Sequence, residues 1–389
     1  MTSFPPALVL KGSFGLSPKG RQLRNALIGV QYVASFGLII GATFMYLQNY
    51  YMQNTPLGYD KDEIIITNMN NNIRKSRDAF ASQVKSFSGI EEVTYAEMLL
   101  SSQDQYMGWG RKYRDKDIQF QCLPVEPSFL KVMNVKISEG RDFREEDKAK
   151  RYGTFVFNER ARTEYGLEIG SLIDSMEIVG FMPDVKFASF RTEVTPMAFF
   201  VWGTNNWGNQ PNYAYIKVKA GSDLRGAMQH VKTTLQSFDP EYPFNVRFFD
   251  EVLNGLYEKE RSLSSLITLF SLIAIFISVV GVFGLVVFDS EYRKKEIGIR
   301  KVLGSTTEEI IVMFNKTYIR ILCVCFVLGA PIAGYVVHRW LENFAYKTPM
   351  YWWVYLIAFA IIAVITILTV TFQNWRAANE NPVHSIKNE

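Results

Sequence analysis

The stretch "EYRKKEIGIRKVLGSTTEEI", Glu291–Ile310, separates two long apolar segments of this chain. The segment before it, Leu263–Phe288, reads "LSSLITLFSLIAIFISVVGVFGLVVF" and contains no charged residue. An apolar run of that length is typical of a membrane-spanning helix. A short, charged and helix-prone segment between two such runs must lie at a membrane surface. The side of the membrane on which it lies determines the orientation of the whole chain.

Four stretches are long and apolar enough to cross a bilayer, and they are Ala26–Leu47, Leu263–Phe288, Tyr318–Val337 and Tyr351–Phe372. A hydrocarbon core of about 30 Å needs about 20 helical residues. The first run is too long for the apolar part of a signal peptide, and we expect an uncleaved anchor. The third run contains Pro331, which would kink a helix.

The basic residues indicate the orientation, because loops rich in lysine and arginine stay in the cytoplasm. Residues 1–25 contain four basic and no acidic residues, and residues 289–317 contain six basic residues. The link between the last two spans carries only Arg339 and Lys347. We therefore expect residues 1–25, 289–317 and 373–389 in the cytoplasm, and residues 49–260 outside, in the periplasm of a double-membraned bacterium.

The outside region combines predicted strands with a predicted helix. Short β-branched or aromatic runs bounded by turn residues predict strands at 63–69, 118–126, 154–158, 175–182, 198–203, 212–220 and 244–249. An amphipathic run predicts a helix over 222–238. Residues 250–266 carry no strong stop, which predicts a helix that runs unbroken from the outside domain into the second span. The predicted fold class is a membrane protein with four transmembrane α-helices and a large α+β periplasmic domain between helices 1 and 2.

The composition points away from catalysis. The net charge of +4 does not suggest nucleic acid, and the three histidines do not form a metal-ligand spacing. Three cysteines do not make a disulfide framework. The nearest approach to a phosphate-binding loop is "GLSPKGRQ", Gly15–Gln22, which lacks the required lysine followed by serine or threonine. We expect no catalytic residue, cofactor or metal in this chain.

The charged segment itself predicts a helix, a stop and a new helix. Ile299, Val302 and Leu303 share one face, Gly304 is a candidate stop, and "STTE", Ser305–Glu308, is a candidate capping box. Two interpretations fit these residues. The basic residues could hold the segment against anionic lipid, or the apolar face could dock into a groove of a cytoplasmic protein.

The segment resembles the signature of the MacB/FtsX/LolC class of ABC-transporter permeases, R-x-x-E-I-G-I-x-x-x-x-G. Arg293, Glu296, Ile297, Gly298, Ile299 and Gly304 match this pattern. Residues 125–143 and 178–200 are similar to the periplasmic core domain of the class, residues 263–380 to its FtsX-like permease domain, and residues 374–389 to its C-terminal ending. Residues 2–25 resemble the junction inside double-length members, so the chain resembles the second half of such a protein.

The resemblance implies a permease subunit of the inner membrane, not an enzyme, that works with a separate cytoplasmic ABC ATPase, a MacB/LolD-like nucleotide-binding subunit. It implies a dimer with a second permease copy or a sister half, and contacts with membrane lipids. It implies no binding of nucleic acid, and it makes a periplasmic adaptor a candidate further partner. Members transmit ATP-driven motion to the periplasm to export or extract a lipoprotein, antibiotic or peptide. The implied ATPase-coupling residues are Glu291, Arg293, Glu296, Ile297, Gly298, Ile299, Arg300, Val302, Leu303 and Gly304.

Two other functions compete with this interpretation. A membrane receptor would use the outside domain as a ligand sensor, but only a short tail, residues 373–389, follows the last span to carry a signal. An ion-coupled transporter would place ionisable residues in mid-membrane, whereas Arg320 lies near the predicted cytoplasmic end of its span.

Overall fold

The computed structural model describes residues 18–102, 106–205, 210–292, 299–300 and 303–378, and the ends of the predicted cytoplasmic segments at 1–17 and 379–389 lie outside them. Two compact units are present. One contains the described residues up to Gln53, Glu260–Asn343 and those from Lys347 onward. The other contains Asn54–Lys259 and the short segment Phe344–Tyr346.

The helices are α1 (Pro18–Asn54), α2 (Asn71–Lys75), α3 (Arg77–Lys85), α4 (Phe129–Val132), α5 (Glu159–Tyr165), α6 (Leu224–Phe238), α7 (Phe249–Leu256), α8 (Glu258–Tyr292), α9 (Thr307–Leu341) and α10 (Trp352–Ala378). The strands are β1 (Ile64–Asn68), β2 (Ile90–Ala96), β3 (Gly108–Tyr113), β4 (Lys116–Pro124), β5 (Glu139–Gly140), β6 (Thr154–Asn158), β7 (Leu172–Ile173), β8 (Met176–Met182), β9 (Met197–Val201), β10 (Tyr213–Val218) and β11 (Arg247–Phe248).

The first unit is built from α1, α8, α9 and α10. Each of these helices is long and apolar enough to cross a membrane. Together with the α+β unit between α1 and α8, they confirm the predicted fold class. Helix α9 begins at Thr307, well before the predicted span at Tyr318, and it continues through Pro331 without ending.

Helix α1 contributes the interior face of this membrane unit. Tyr32, Phe36, Ile40 and Phe44 recur every four residues, so they share one face, and all four are buried. The ring of Phe36 lies 5.2 Å from that of Phe326, centroid to centroid. Hydroxyl contacts add to this packing, because Ser35 bonds Ser278 at 2.8 Å and Tyr32 bonds Thr366 at 3.0 Å. Close packing and interhelical hydrogen bonds are the forces that hold helices together in lipid.

One sheet of the second unit is antiparallel throughout, with the strand order β11-β1-β10-β2. Strand β1 begins with three consecutive isoleucines, and all three are buried. Ile65 packs with the helices of one core, whereas Ile64 and Ile66 belong to a second core on the opposite side. Because side chains alternate along a strand, an unbroken apolar run indicates a strand that is covered on both faces.

The other sheet is mixed, with the order β3-β4-β9-β6-β8-β5 and β7 paired to β8. Strand β6 pairs parallel to β8 and antiparallel to β9. Its two phenylalanines, Phe155 and Phe157, enter an aromatic core, and Val156 points to the core that the sheets share. Gly153 precedes this strand with φ +86°, and a Cβ there would lie 2.3 Å from the carbonyl oxygen of Val201, so only glycine fits.

Seven of the eleven described strands coincide with predicted strands, whereas β2, β3, β5 and β7 and the short helices α2–α5 were not predicted. Helix α6 lies within the predicted 222–238, and Asp223 caps it by accepting hydrogen bonds from the backbone amides of Arg225 and Gly226. Strand β3 has no counterpart in the prediction, because glycines and charges replace the usual apolar alternation. Its hairpin turns at Arg114 and Asp115, both with positive φ, where an asparagine–glycine pair would have been the familiar signal.

The prediction of an unbroken helix from residue 250 into the second span is wrong. Helix α7 ends at Leu256 and α8 begins at Glu258, with Tyr257 between them at φ −115° and ψ 14°. The Tyr257 hydroxyl accepts a hydrogen bond from the amide of Phe190 at 2.9 Å, and the two rings pack edge to face. This tertiary contact accompanies the break, and Gly255, two residues earlier, is the local signal of a helix end that the prediction did not use.

Candidate functional site

The predicted coupling segment is described only in part. Arg293, Glu296, Ile297, Gly298 and Val302 lie outside the described residues. Glu291 is in the last turn of α8, and nothing is described of its side chain. Ile299, Arg300, Leu303 and Gly304 are described, so the site can be built from these four residues and the helix that follows them.

Gly304 ends the short helical segment, as the sequence predicts. Its φ is +94°, a left-handed conformation that glycine adopts without steric cost. The Leu303 amide donates to the Ile299 carbonyl at 3.0 Å, and the Ser305 amide donates to the Arg300 carbonyl at 2.9 Å. The second of these bonds, which runs back five residues across a left-handed glycine, is characteristic of a Schellman stop.

The new helix begins one residue later than predicted. The capping box pairs Thr306 with Glu309, not Ser305 with Glu308: the Glu309 amide donates to Thr306 Oγ1 at 3.2 Å, and the Thr306 amide donates to Glu309 Oε2 at 3.1 Å. The sequence "STTEE" offers both registers. The Ser305 amide is already engaged by the preceding stop, so Thr306 is the first residue available as the N-cap.

Thr306→Ala is expected to destabilise the start of α9 by about 1 kcal/mol, because the side-chain acceptor for an end amide is lost. Hydrogen exchange of the peptide that covers residues 306–311 measures this change directly and should become faster. Ser305→Ala is the matched control and should leave exchange unchanged. Faster exchange in Ser305→Ala than in Thr306→Ala would contradict the observed register.

Two large apolar side chains of the segment face solvent. Ile299 is 58% exposed and Leu303 is 79% exposed. They are four residues apart, so they lie on the same face of the helical turn, and Arg300 beside them is exposed too. An exposed apolar pair next to a cation is suited to filling a groove on another protein.

Helix α9 connects this surface to the membrane interior. It runs without a break from Thr307 to Leu341, so its first turn and its membrane portion belong to one element. Asn315 Nδ2 donates to Thr371 Oγ1 of α10 at 2.9 Å. This hydrogen bond joins the two helices near the ends that are predicted to be cytoplasmic. The first turn of α9 and the residue that bonds α10 therefore lie on one continuous helix.

A second constellation lies in the α+β unit, in the loop 183–196 between β8 and β9, which we call the junction loop. Phe190 is buried at its centre. The Phe190 amide donates to the Tyr257 hydroxyl at 2.9 Å, and its carbonyl accepts from the Tyr346 amide at 3.1 Å. The Val194 amide donates to the Tyr346 hydroxyl at 3.3 Å.

The two tyrosines that bind the junction loop lie next to membrane helices. Tyr257 immediately precedes α8, and Tyr346 lies in the connection between α9 and α10. Arg191 adds a cation–π contact over Phe344 of the same connection, with 5.3 Å to the ring centroid. One loop thus binds two chain segments that lead directly into membrane helices.

Sequence reasoning missed the junction loop. The signal was present in "PDVKFASFRTEVTP", Pro183–Pro196, where two phenylalanines stand in an otherwise polar connection. Phe187 and Phe190 are both buried, and Phe187 also stacks on Tyr59 at 4.8 Å between centroids. Their partners lie far away in the sequence, so the contacts themselves could not be predicted.

Comparison with known families matches both units. A family model described as the MacB-like periplasmic core domain matches residues 28–234, which is more than half of the chain. The chain belongs to this family. A second model, described as the FtsX-like permease C-terminal domain, matches residues 268–382, so the MacB-like core domain and the FtsX-like domain together cover most of the permease.

The similar curated proteins are much longer than the matched region. A macrolide export ATP-binding/permease protein MacB from Chromobacterium violaceum is 23% identical over 230 residues, which cover 56% of this chain and 35% of that protein. MacB from Escherichia coli is 23% identical over 233 residues, with the same coverage. The match with this MacB-like permease therefore spans about a third of the length of these relatives.

Solved structures of periplasmic regions also resemble this chain. The periplasmic region of MacB from Actinobacillus actinomycetemcomitans is 14% identical and covers 50% of this chain and 92% of its own, with a TM-score of 0.37. A domain of a permease protein from Porphyromonas gingivalis is 18% identical, covers 50% of this chain and 93% of its own, and has a TM-score of 0.32.

Proposed function

We propose that this chain is the permease subunit of an ABC transporter and passes motion driven by a separate cytoplasmic ATPase to its periplasmic domain. The observation that carries the proposal is the junction loop. Phe190 is hydrogen-bonded to Tyr257 through its amide and to Tyr346 through its carbonyl. A shift of α8 or of the α9–α10 connection would pull on a loop that joins two strands of the periplasmic sheet.

The cytoplasmic end of this route is the coupling segment. Ile299 and Leu303 offer an apolar face for the ATPase, and the Gly304 stop followed by the Thr306 cap leads directly into α9. The sequence signature extends this surface to Glu291, Arg293, Glu296, Ile297, Gly298, Arg300 and Val302. In this proposal the chain binds no nucleotide, and hydrolysis takes place on the partner.

The proposal includes the orientation that the basic loops predict. The chain lies in the inner membrane with both termini in the cytoplasm and the α+β unit in the periplasm. It works as a dimer, with a second copy or a sister half. The relatives are named for macrolide export, and we extend to this chain only the class of work: export or extraction of an antibiotic, peptide or lipoprotein cargo.

Hydrogen exchange tests the proposal at the junction loop. The full chain is reconstituted in lipid nanodiscs with the ABC-type ATPase that associates with it, and exchange is measured for the peptide covering residues 186–197. We expect exchange of this peptide to differ between the nucleotide-free state and the ATP–vanadate state, because its amides bond to Tyr257 and Tyr346. A peptide from α6, residues 224–238, is the internal control.

An exchange pattern that is the same with and without nucleotide would contradict the proposal. The competing function, a receptor with a periplasmic sensor domain, predicts that outcome, because a receptor has no ATP-dependent step. No specific contact among the described residues favours the receptor.

A further inference from the structure

The junction loop also forms one wall of a pocket in the α+β unit. The pocket is a cleft that is open to solvent on one side, and the space between its walls together with the open solvent at its mouth is about 520 Å³. Its apolar lining comes from Val185, Phe187, Phe190 and Met197, and Tyr346 closes another side. Apolar walls with a few polar groups are typical of small-molecule sites.

Lys186 gives this pocket its charge. Its Nζ lies 4.4 Å from the ring centroid of Tyr346 and 5.1 Å from that of Phe190. Among the described residues, the ammonium group contacts these two rings. The described part of the chain places no carboxylate or hydrogen-bond acceptor within bonding distance of it. Partial burial lowers the pKa of Lys186, since the charged form is poorly solvated.

The neighbouring polar groups are already occupied. Gln121 Oε1 accepts from the Tyr106 amide, and Gln121 Nε2 donates to Thr195 Oγ1, both at 2.8 Å. The Thr192 hydroxyl donates to the Ser189 carbonyl at 3.2 Å. Glu193 lines the pocket too, but its side chain is exposed to water. Lys186 is therefore the polar group with donors to spare.

We infer that this pocket binds an organic carboxylate, with the carboxylate paired to Lys186 and an apolar group of the ligand against the aromatic lining. The free C-terminus of a peptide that ends in an apolar residue has this chemistry. A charge-assisted hydrogen bond in a partly desolvated site is stronger than a neutral one, which makes the carboxylate the preferred partner of the lone ammonium. The site needs no ATPase and does not rest on the proposed function.

Two ligands that differ only in charge test the inference. The full chain, held in a neutral maltoside detergent without lipid, is titrated with N-acetyl-phenylalanine and with its neutral amide, and both dissociation constants are measured by saturation-transfer NMR. We expect the carboxylate to bind about tenfold more tightly than the amide, the size of one charge-assisted hydrogen bond. This comparison uses the native protein, so it does not depend on any variant folding.

Variants locate the effect. Lys186→Met keeps most of the apolar stem and removes the ammonium, so it should remove the tenfold preference. Lys136→Met removes an exposed lysine that does not line the pocket and should preserve it. The inference is overturned by undetectable binding of the carboxylate, by equal binding of the two ligands, by a preference that survives in Lys186→Met, or by its loss in Lys136→Met.

Discussion

Replacing Ile299 and Leu303 together by aspartate is expected to abolish binding of the ABC-type ATPase while the chain still inserts in the membrane. The two side chains are 58% and 79% exposed, so the change leaves the core of the permease intact. Docking in a groove would bury both of them, and each buried aliphatic side chain contributes about 1.5–3 kcal/mol. Two carboxylates forced into that groove add a desolvation cost, which together corresponds to more than about a thousandfold in affinity.

Co-purification measures this effect. The permease and the ATPase are expressed together, the permease is captured from detergent, and the amount of bound ATPase is compared with wild type. The control is Leu172→Asp, which places one such carboxylate at an apolar residue of the α+β unit that is 60% exposed. Resistance of both variants to carbonate extraction shows that they are inserted.

The same experiment separates the two interpretations of the charged segment. If Ile299 and Leu303 only rest on lipid, the double variant keeps its ATPase, and the docking role is refuted. If they fill a groove, the ATPase is lost from the double variant and kept by Leu172→Asp. Loss of the ATPase from both would show that the captured complex is not specific.

Local patterns predicted the elements of this permease well. The charge-free run at 263–288 lies within α8, and the amphipathic run at 222–238 contains α6. Gly304 was readable as a stop because its left-handed conformation is a property of one residue. In such cases the structure is determined by residues close together in the sequence, so it can be predicted from a short stretch.

Structural features that depend on contacts between distant residues could not be predicted from the sequence. The cap moved from Ser305 to Thr306 because the Ser305 amide is used by the turn before it. The break at Tyr257 accompanies a bond from Phe190, 67 residues away in the sequence. The junction loop and its pocket combine a connection between two strands with residues that flank membrane helices. These segments are far apart in the sequence, so no local pattern relates them.

Removing the hydroxyls of Tyr257 and Tyr346 is expected to loosen the junction loop, which keeps its backbone bond from the Tyr346 amide to the Phe190 carbonyl, while ATP hydrolysis by the partner continues. Both hydroxyls accept amide hydrogen bonds, from Phe190 at 2.9 Å and from Val194 at 3.3 Å. In the Tyr257→Phe/Tyr346→Phe variant the rings remain, so the packing on Phe190 is retained. Each amide that loses its partner in a buried site costs about 1–3 kcal/mol.

Exchange of the 186–197 peptide should therefore be about tenfold faster or more in the resting state of this variant, and its response to ATP–vanadate should be reduced. Tyr351→Phe is the matched control, because Tyr351 lies in the same α9–α10 connection and its ring packs on Trp353 instead. ATPase activity, measured on the same samples, should stay near wild type in all variants. A double variant that keeps the full ATP-dependent exchange change would show that the two hydroxyl bonds do not carry the motion, since its Phe190 and Val194 amides no longer bond to these hydroxyls.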